Sequence, residues 1–127
     1  MIISGERQID YPALHARIRK AAGGFAALGG RDGTPVAMML RNDFALFEVV
    51  AAAAALGRPV VPINWHLKAA EVRYILDDSG ADCLVCHADL LPQIRDGLPE
   101  GLTLMIVPTP PEIAQSFNVP NELTQVP

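Results

Sequence analysis

Residues 42–64, NDFALFEVVAAAAALGRPVVPIN, contain a helix, a tight stop and a strand. Between Phe44 and Leu56 the only polar residue is Glu48, so the helix is apolar on nearly every face. A helix of that kind is expected to be buried on more than one side. It is too short for a membrane span, which needs roughly 20 apolar residues. Gly57 supplies the helix stop, and Pro59 follows where proline commonly follows a helix end. Val60, Val61 and Ile63, closed by Pro62 and Asn64, predict a short strand buried on both faces.

The flanking segments read outward from this unit. Toward the N-terminus, Ile2–Ile3 and Gln8–Ile9 flank Gly5-Glu6 as in a small hairpin. Asp10 is a good N-cap for a helix with Tyr11 and Pro12 in its first turn. Leu14, Ile18, Ala21, Phe25 and Leu28 carry helical spacing to about Leu28. Gly23-Gly24 inside it costs about 1 kcal/mol each relative to Ala, so either the helix loosens or another backbone packs close. The turn cluster Gly29-Gly30-Arg31-Asp32-Gly33 precedes a strand over Pro35–Leu40.

Toward the C-terminus, His66–Ser79 reads as a helix with Val72, Ile75, Leu76 and Ser79 on one face, ended by Gly80. Cys83–Cys86 is a third strand, Asp89 to about Asp96 a short helix and Leu102–Val107 a fourth strand. This alternation predicts right-handed crossovers and a parallel α/β sheet of about four strands with helices on both faces, Rossmann-like or flavodoxin-like. Pro108, Pro110, Pro111, Pro120 and Pro127 break the pattern, so 1–107 is read as the α/β unit and 108–127 as a linker or cut tail without regular elements.

Of the 127 residues, 50% are apolar and 19% charged, which excludes a disordered polymer. A net charge of −4 with no Lys/Arg stripe argues against nucleic acid. No apolar run is long enough to span a bilayer. The opening residues do not read as a leader and the two cysteines suit a reducing interior, so a cytoplasmic setting is expected.

Together these segments resemble the adenylate-forming superfamily. Asp10-Tyr11-Pro12-Ala13-Leu14, Leu28-Gly29, Pro35-Val36-Ala37 and Arg41-Asn42 occur in the order found at the start of those enzymes. Leu56 to Asn64, LGRPVVPIN, and Glu71 to Ala81, EVRYILDDSGA, are similar to two further family segments. Asn64-Trp65-His66-Leu67 is closer to the fatty-acid and aryl–CoA ligase branch. The resemblance implies the N-terminal part of an acyl-CoA synthetase, an enzyme that uses ATP, Mg and CoA to convert an acid to an acyl-adenylate and then a thioester. It also implies a Ser/Thr/Gly-rich phosphate loop ending in Pro-Lys-Gly, a ribose-binding Asp and a Lys on a mobile lid. None of these patterns occurs in the 127 residues, and the sequence is expected to stop just short of the phosphate loop. Gly33-Thr34-Pro35 departs from the usual Gly-Asp. The rival expectation is a free-standing, non-catalytic binding or assembly module.

Local candidates for chemistry are few. Gly29–Gly33 is glycine-rich, but a phosphate cradle needs a strand before it and a helix after it, and here the order is reversed. Cys83-x-x-Cys86 has the spacing of half a zinc site, yet on a strand positions i and i+3 point to opposite faces. His15, His66 and His87 have no partner at a motif spacing. Trp65-His66 follows a strand's carboxyl end, where α/β sheets place ligands. Lys68, Glu71, Arg73, Asp77 and Asp78 read as a solvated helix face. No residue is therefore assigned a catalytic, cofactor-binding or metal-binding role. The apolar helix predicts one further property, self-association through apolar surface that the short chain cannot cover.

Overall fold

The computed structural model describes residues 1–28 and 30–127. It begins with the expected hairpin, β1 (Ile2–Ser4) paired antiparallel with β2 (Arg7–Ile9). Helix α1 (Tyr11–Ala27) follows, and the Asp10 carboxylate accepts the Ala13 N–H at 2.8 Å as its N-cap. The helix runs unbroken through Gly23-Gly24. A Cβ at either glycine would meet nothing within 4 Å, so neither a loosened helix nor a backbone packed against it is realised within the chain.

Four strands form the parallel sheet: β3 (Val36–Met39), β4 (Val60–Pro62), β5 (Cys83–His87) and β6 (Thr103–Val107). Between them lie α2 (Phe44–Ala55), α3 (Ala69–Ser79) and α4 (Leu91–Ile94), the last extended by short 3-10 turns at both ends. Spatial order is β4-β3-β5-β6, the flavodoxin-like sequence of second, first, third, fourth. Alternation along each strand sends Val36, Met38, Cys83 and Val85 to the α1–α2 face, and Ala37, Met39, Leu84 and Cys86 to the α3–α4 face. Gly57 and Gly80 adopt positive φ, 66° and 70°, just past the ends of α2 and α3, where the left-handed region favours glycine.

Two expectations are corrected. The segment after α2 is an edge strand and is covered only in part: Val60 packs half-buried against one core and Val61 against the other, Ile63 is buried, and Pro62 is exposed. It lies at the edge because the chain crosses back over β3 to place β5 on the inner side. The proline-rich stretch does form a regular element, α5 (Pro111–Ser116), because Pro111 stands at the first helical position, where its missing N–H costs nothing. As for α2, the sheet and α1 cover Phe44, Ala45, Val49, Ala52 and Ala53 while Phe47 and Val50 stay exposed. Among the described residues, no helix is long and apolar enough to cross a membrane.

Candidate functional site at the carboxyl ends of the strands

Charged residues gather where the strands end. Arg41 and Asp43 follow β3, His87 closes β5 with Asp89 just beyond, and Thr109 follows β6. The crevice between the ends of β3 and β5 is the switch point of the sheet, because the chain leaves β3 toward one side and β5 toward the other.

This chain fills that crevice with its own groups. Arg41 is 7% exposed and gives Nε and Nη2 to Asp89 Oδ2 at 3.1 and 2.8 Å. Its guanidinium lies over the rings of Trp65 and Phe117, with 4.4 and 4.0 Å to the two centroids. Nη1 is buried without a hydrogen-bond acceptor, and the two aromatic faces are what it meets. Thr109 Oγ1 donates to Asp89 Oδ1 at 2.5 Å, which closes off the second carboxylate oxygen.

A second network shares the same end. The Arg41 N–H donates to His87 Nδ1 at 3.0 Å, so the ring proton sits on Nε2 and faces Asp43 Oδ2 at 3.2 Å. Arg7 Nη2 meets Asp43 Oδ1 at 2.5 Å, and Arg7 Nε meets Glu112 Oε1 at 2.6 Å. Ser4 Oγ donates to Glu112 at 3.0 Å. Burial works to raise the Asp43 carboxyl, but the hydrogen bonds from His87, Arg7 and the Phe44 N–H, with the Arg7 charge, hold it at about 2. Glu112 is opposed by burial in the same way, and Arg7, Ser4 and a backbone hydrogen bond bring it below its ordinary value. Hairpin, α2 and α5 are thus tied through Arg7.

Chemically the cluster offers cations and carboxylates that already satisfy one another. It suits holding elements together better than attacking a substrate. Gly30 to Gly33 lie at the amino end of β3, opposite the crevice, and Gly29 is outside the described residues. The buried Arg58 guanidinium crosses Gly30 to pair with Asp82, and a Cβ at Gly30 would fall 2.0 Å from Arg58 Nη1, so a larger residue there would have to displace that side chain. Cys83 belongs to one face of the sheet and Cys86 to the other. Burial pushes the two thiols up to about 11 and about 12, with Asp82 adding to the first, partly offset by Arg58, and Asp89 to the second. Among the described residues, no group of three His, Cys, Asp or Glu could hold a metal.

His15 is exposed on α1, His66 is exposed after β4, and His87 is fully buried. Trp65-His66 does lie at the carboxyl end, with the rings stacked at 3.7 Å, and Gln93 Nε2 fixes the loop through the Trp65 and Leu67 carbonyls. Lys68, Glu71, Arg73, Asp77 and Asp78 are exposed on and before α3; the Lys68 N–H donates to Glu71 at 2.8 Å and Arg73 pairs with Asp77 at 2.7 Å. Sequence reasoning passed over Arg7, Arg41, Asp43, Asp89, Thr109 and Glu112. The available signal was position, since Arg41 and Asp89 each come just after an apolar strand.

Sheet order and a crevice at its switch point define a doubly wound α/β protein of the kind built to position a ligand above its strands. Its family is specific: the chain belongs to the AMP-binding enzymes, whose family model matches residues 1–124. It is 35% identical over 99 residues to the crotonobetaine/carnitine–CoA ligase of Citrobacter koseri, covering 78% of this chain and 19% of that one. It is 32% identical over 89 residues to a fatty acid–[acyl-carrier-protein] ligase of Streptomyces coeruleorubidus, covering 70% and 17%. The solved fatty acyl CoA synthetase of Mycobacterium tuberculosis superposes with a TM-score of 0.72 at 30% identity, covering 80% and 21%. The chain therefore spans about a fifth of the length of these relatives.

Proposed function

We propose that this chain is the N-terminal scaffold of an ATP-dependent acid–CoA ligase. The observation that carries the reading is the family match running through residues 1–124 beside ligases of which this segment is about a fifth. The reaction of the whole enzyme joins a carboxylate oxygen to the α-phosphorus of ATP and releases pyrophosphate. The CoA thiol then takes the acyl group and releases AMP and a proton. Two relatives differ in the acceptor they are named for, CoA in one and acyl-carrier protein in the other; CoA is favoured by the higher identity of the first.

Within this division of labour, residues 1–107 supply sheet and helices, and 108–127 connect toward the part that holds ATP, Mg and CoA. The residues in hand do not make a nucleotide cradle by themselves. Arg58 occupies the space above Gly30, and Arg41 with Phe117 occupies the switch-point crevice. No catalytic, cofactor-binding or metal-binding residue is assigned, and a cytoplasmic setting fits the assignment.

The test replaces the matched segment of the Citrobacter koseri ligase with this chain. The chimera should exchange labelled pyrophosphate into ATP only when acid is present, and the 127-residue chain alone should not. A folded chimera without exchange, or turnover by the chain alone that survives repurification, overturns the reading.

The isolated chain should also self-associate through the exposed face of α2, where Phe47 and Val50 are 48% and 41% exposed. Sedimentation at several concentrations should show a dimer that Phe47→Glu converts to monomer. A monomer persisting at high concentration removes this part of the proposal.

A further inference from the structure

Beyond β6 the chain leaves the sheet and returns to it. The Thr109 N–H donates to the Thr124 carbonyl at 2.8 Å, so residues 110–123 form a loop whose two ends are tied together. Compact surface loops with close ends are frequently functional. Inside this one, α5 and the turn after it hold each other through the Val119 N–H on the Ala114 carbonyl at 2.8 Å. Pro110, Pro111 and Pro120 fix φ next to the two ends. The loop can therefore turn as a unit about Thr109 and Thr124.

It lies across the carboxyl ends of the strands and is fastened there at two points of different chemistry. At one point Glu112 accepts from Arg7 Nε at 2.6 Å and from Ser4 Oγ at 3.0 Å. The Arg7 and Glu112 side chains are 38% and 27% exposed, and an ion pair with that much water around it is weak and screened by salt. At the other point the exposed Phe117 ring lies over Arg41 and meets Trp65 edge-on, 5.1 Å between centroids. Of α5, Ile113 and Ala114 are buried, and neither joins the apolar cores on the two faces of the sheet. Toward α1 the loop borders open space. A groove of about 1170 Å³ separates its exposed Gln115, Asn118 and Asn121 from a wall formed by Ala21, Gly24 and Leu28 of α1. The fastenings are weak and there is room to swing.

We propose that residues 110–123 form a flap that gates the switch-point crevice, with Phe117 as its plug and the Arg7–Glu112 pair as its clasp. Closed, Phe117 fills the place above Arg41, at the crevice where sheets of this order take ligands. Open, the clasp is broken, the flap has turned toward the groove, and Arg41 Nη1 and one side of Trp65 are bare. The sheet is the same in both states. Arg7 keeps its second pair with Asp43, so the hairpin stays, and Thr109 keeps its bond to Asp89, so the hinge stays. The gate rests on this geometry and stands or falls independently of the ligase reading.

Trp65 is the single tryptophan of the chain, so its fluorescence reports the flap. Acrylamide carries no charge and quenches it according to access. Raising salt from about 0.05 to about 1 M should increase the quenching constant of the 127-residue chain about twofold or more, with far-UV circular dichroism unchanged. Glu112→Gln removes the charge of the clasp and keeps its size. That variant should be quenched strongly at low salt already and should no longer respond to salt. Phe117→Ala removes the plug and marks the fully open value.

Wild-type quenching that ignores salt overturns the gate, and so does a salt response that Glu112→Gln retains. Loss of circular dichroism along with the rise in quenching also overturns it, because the loop would then be part of the fold and not a flap upon it. A Glu112→Gln chain that does not fold has the same meaning, since the clasp of a gate can be undone without unfolding the sheet.

Discussion

The two faces of the sheet are built from the same four strands but finished to different degrees. On the α3–α4 face, Val72, Leu76, Leu90 and Ile94 close over Ala37, Met39 and Leu84, and each is at most 2% exposed. The chain is pressed so close there that a Cβ at Gly97 would fall 2.1 Å from the Ala69 carbonyl oxygen. On the α1–α2 face, the helices cover β3 and part of β5, while Met105 and Val107 are half-buried beside an open groove. Local sequence cannot explain this, because the strands alternate alike toward both faces. Each side has two main helices, so the difference lies in where they sit: α1 and α2 leave Met105 and Val107 of β6 beside an open groove. Over β3 and β5 both faces are closed, whereas β6 is half-buried on both, and among the described residues only on the α1–α2 side does a groove open beside it.

The largest expected effect breaks the closed face. Leu84→Ala removes a fully buried side chain from between two helices and the sheet and should cost about 2–5 kcal/mol in urea unfolding. Met105→Ala on the open face should cost about 1 kcal/mol or less, because its side chain is half in water already. Equal losses would mean that the two faces are packed alike and that the groove closes in solution.

Gly97→Ala comes next. The atoms that the new methyl would meet are the oxygen, carbon and Cα of Ala69, at 2.1, 2.7 and 3.0 Å. All are backbone and cannot rotate aside as a side-chain tip could. Overpacking of this kind should cost about 1–3 kcal/mol, read as a lowered melting temperature. An unchanged melting temperature would show that the turn after α4 stands off α3.

Acid tests the network that joins the faces at the carboxyl ends. Asp43 is held at about 2 in the folded chain, against an ordinary value of 3.8. As pH falls the unfolded chain takes up the proton first, so the stability is present above about pH 4 and is lost on the way down to pH 2. The lowering from 3.8 to about 2 corresponds to somewhat over ~2 kcal/mol. Asp43→Asn should flatten that part of the stability curve. A slope over that acid range as steep in Asp43→Asn as in wild type would assign the loss to other carboxylates.

Much of this architecture is legible in the sequence, and the failures share a cause. Val36–Met39, Cys83–His87 and Thr103–Val107 are readable because strand periodicity and the flanking glycines are local properties. The N-cap at Asp10 and the stops at Gly57 and Gly80 are readable for the same reason. The edge position of β4 is not, because strand order is decided by crossovers and not by the strand's own residues. Pro111 reads as a breaker but stands at a helix start, a distinction that depends on the residues after it. The carboxyl-end cluster is hidden most deeply. Arg7 meets Asp43 across 36 residues and Glu112 across 105, and no spacing rule reaches that far. Only their place directly beyond an apolar strand marks Arg41 and Asp89.

The smallest effect sharpens the comparison most, because its sign is opposite to the others. Gly24→Ala adds a methyl to the unfinished face, at a helical position where nothing lies within 4 Å. In the isolated chain the only terms left are helix propensity and the lost freedom of the unfolded state. Both favour alanine, by roughly 0.5–1 kcal/mol together. Gly23→Ala should gain as much, since its surroundings are equally open. The same added methyl should therefore stabilise at Gly24 and destabilise at Gly97, one on each side of one sheet. Calorimetry of the three variants at one pH decides it. A loss of stability at Gly24 would mean that the chain already covers that wall in solution, and the groove would have to be abandoned as an open surface.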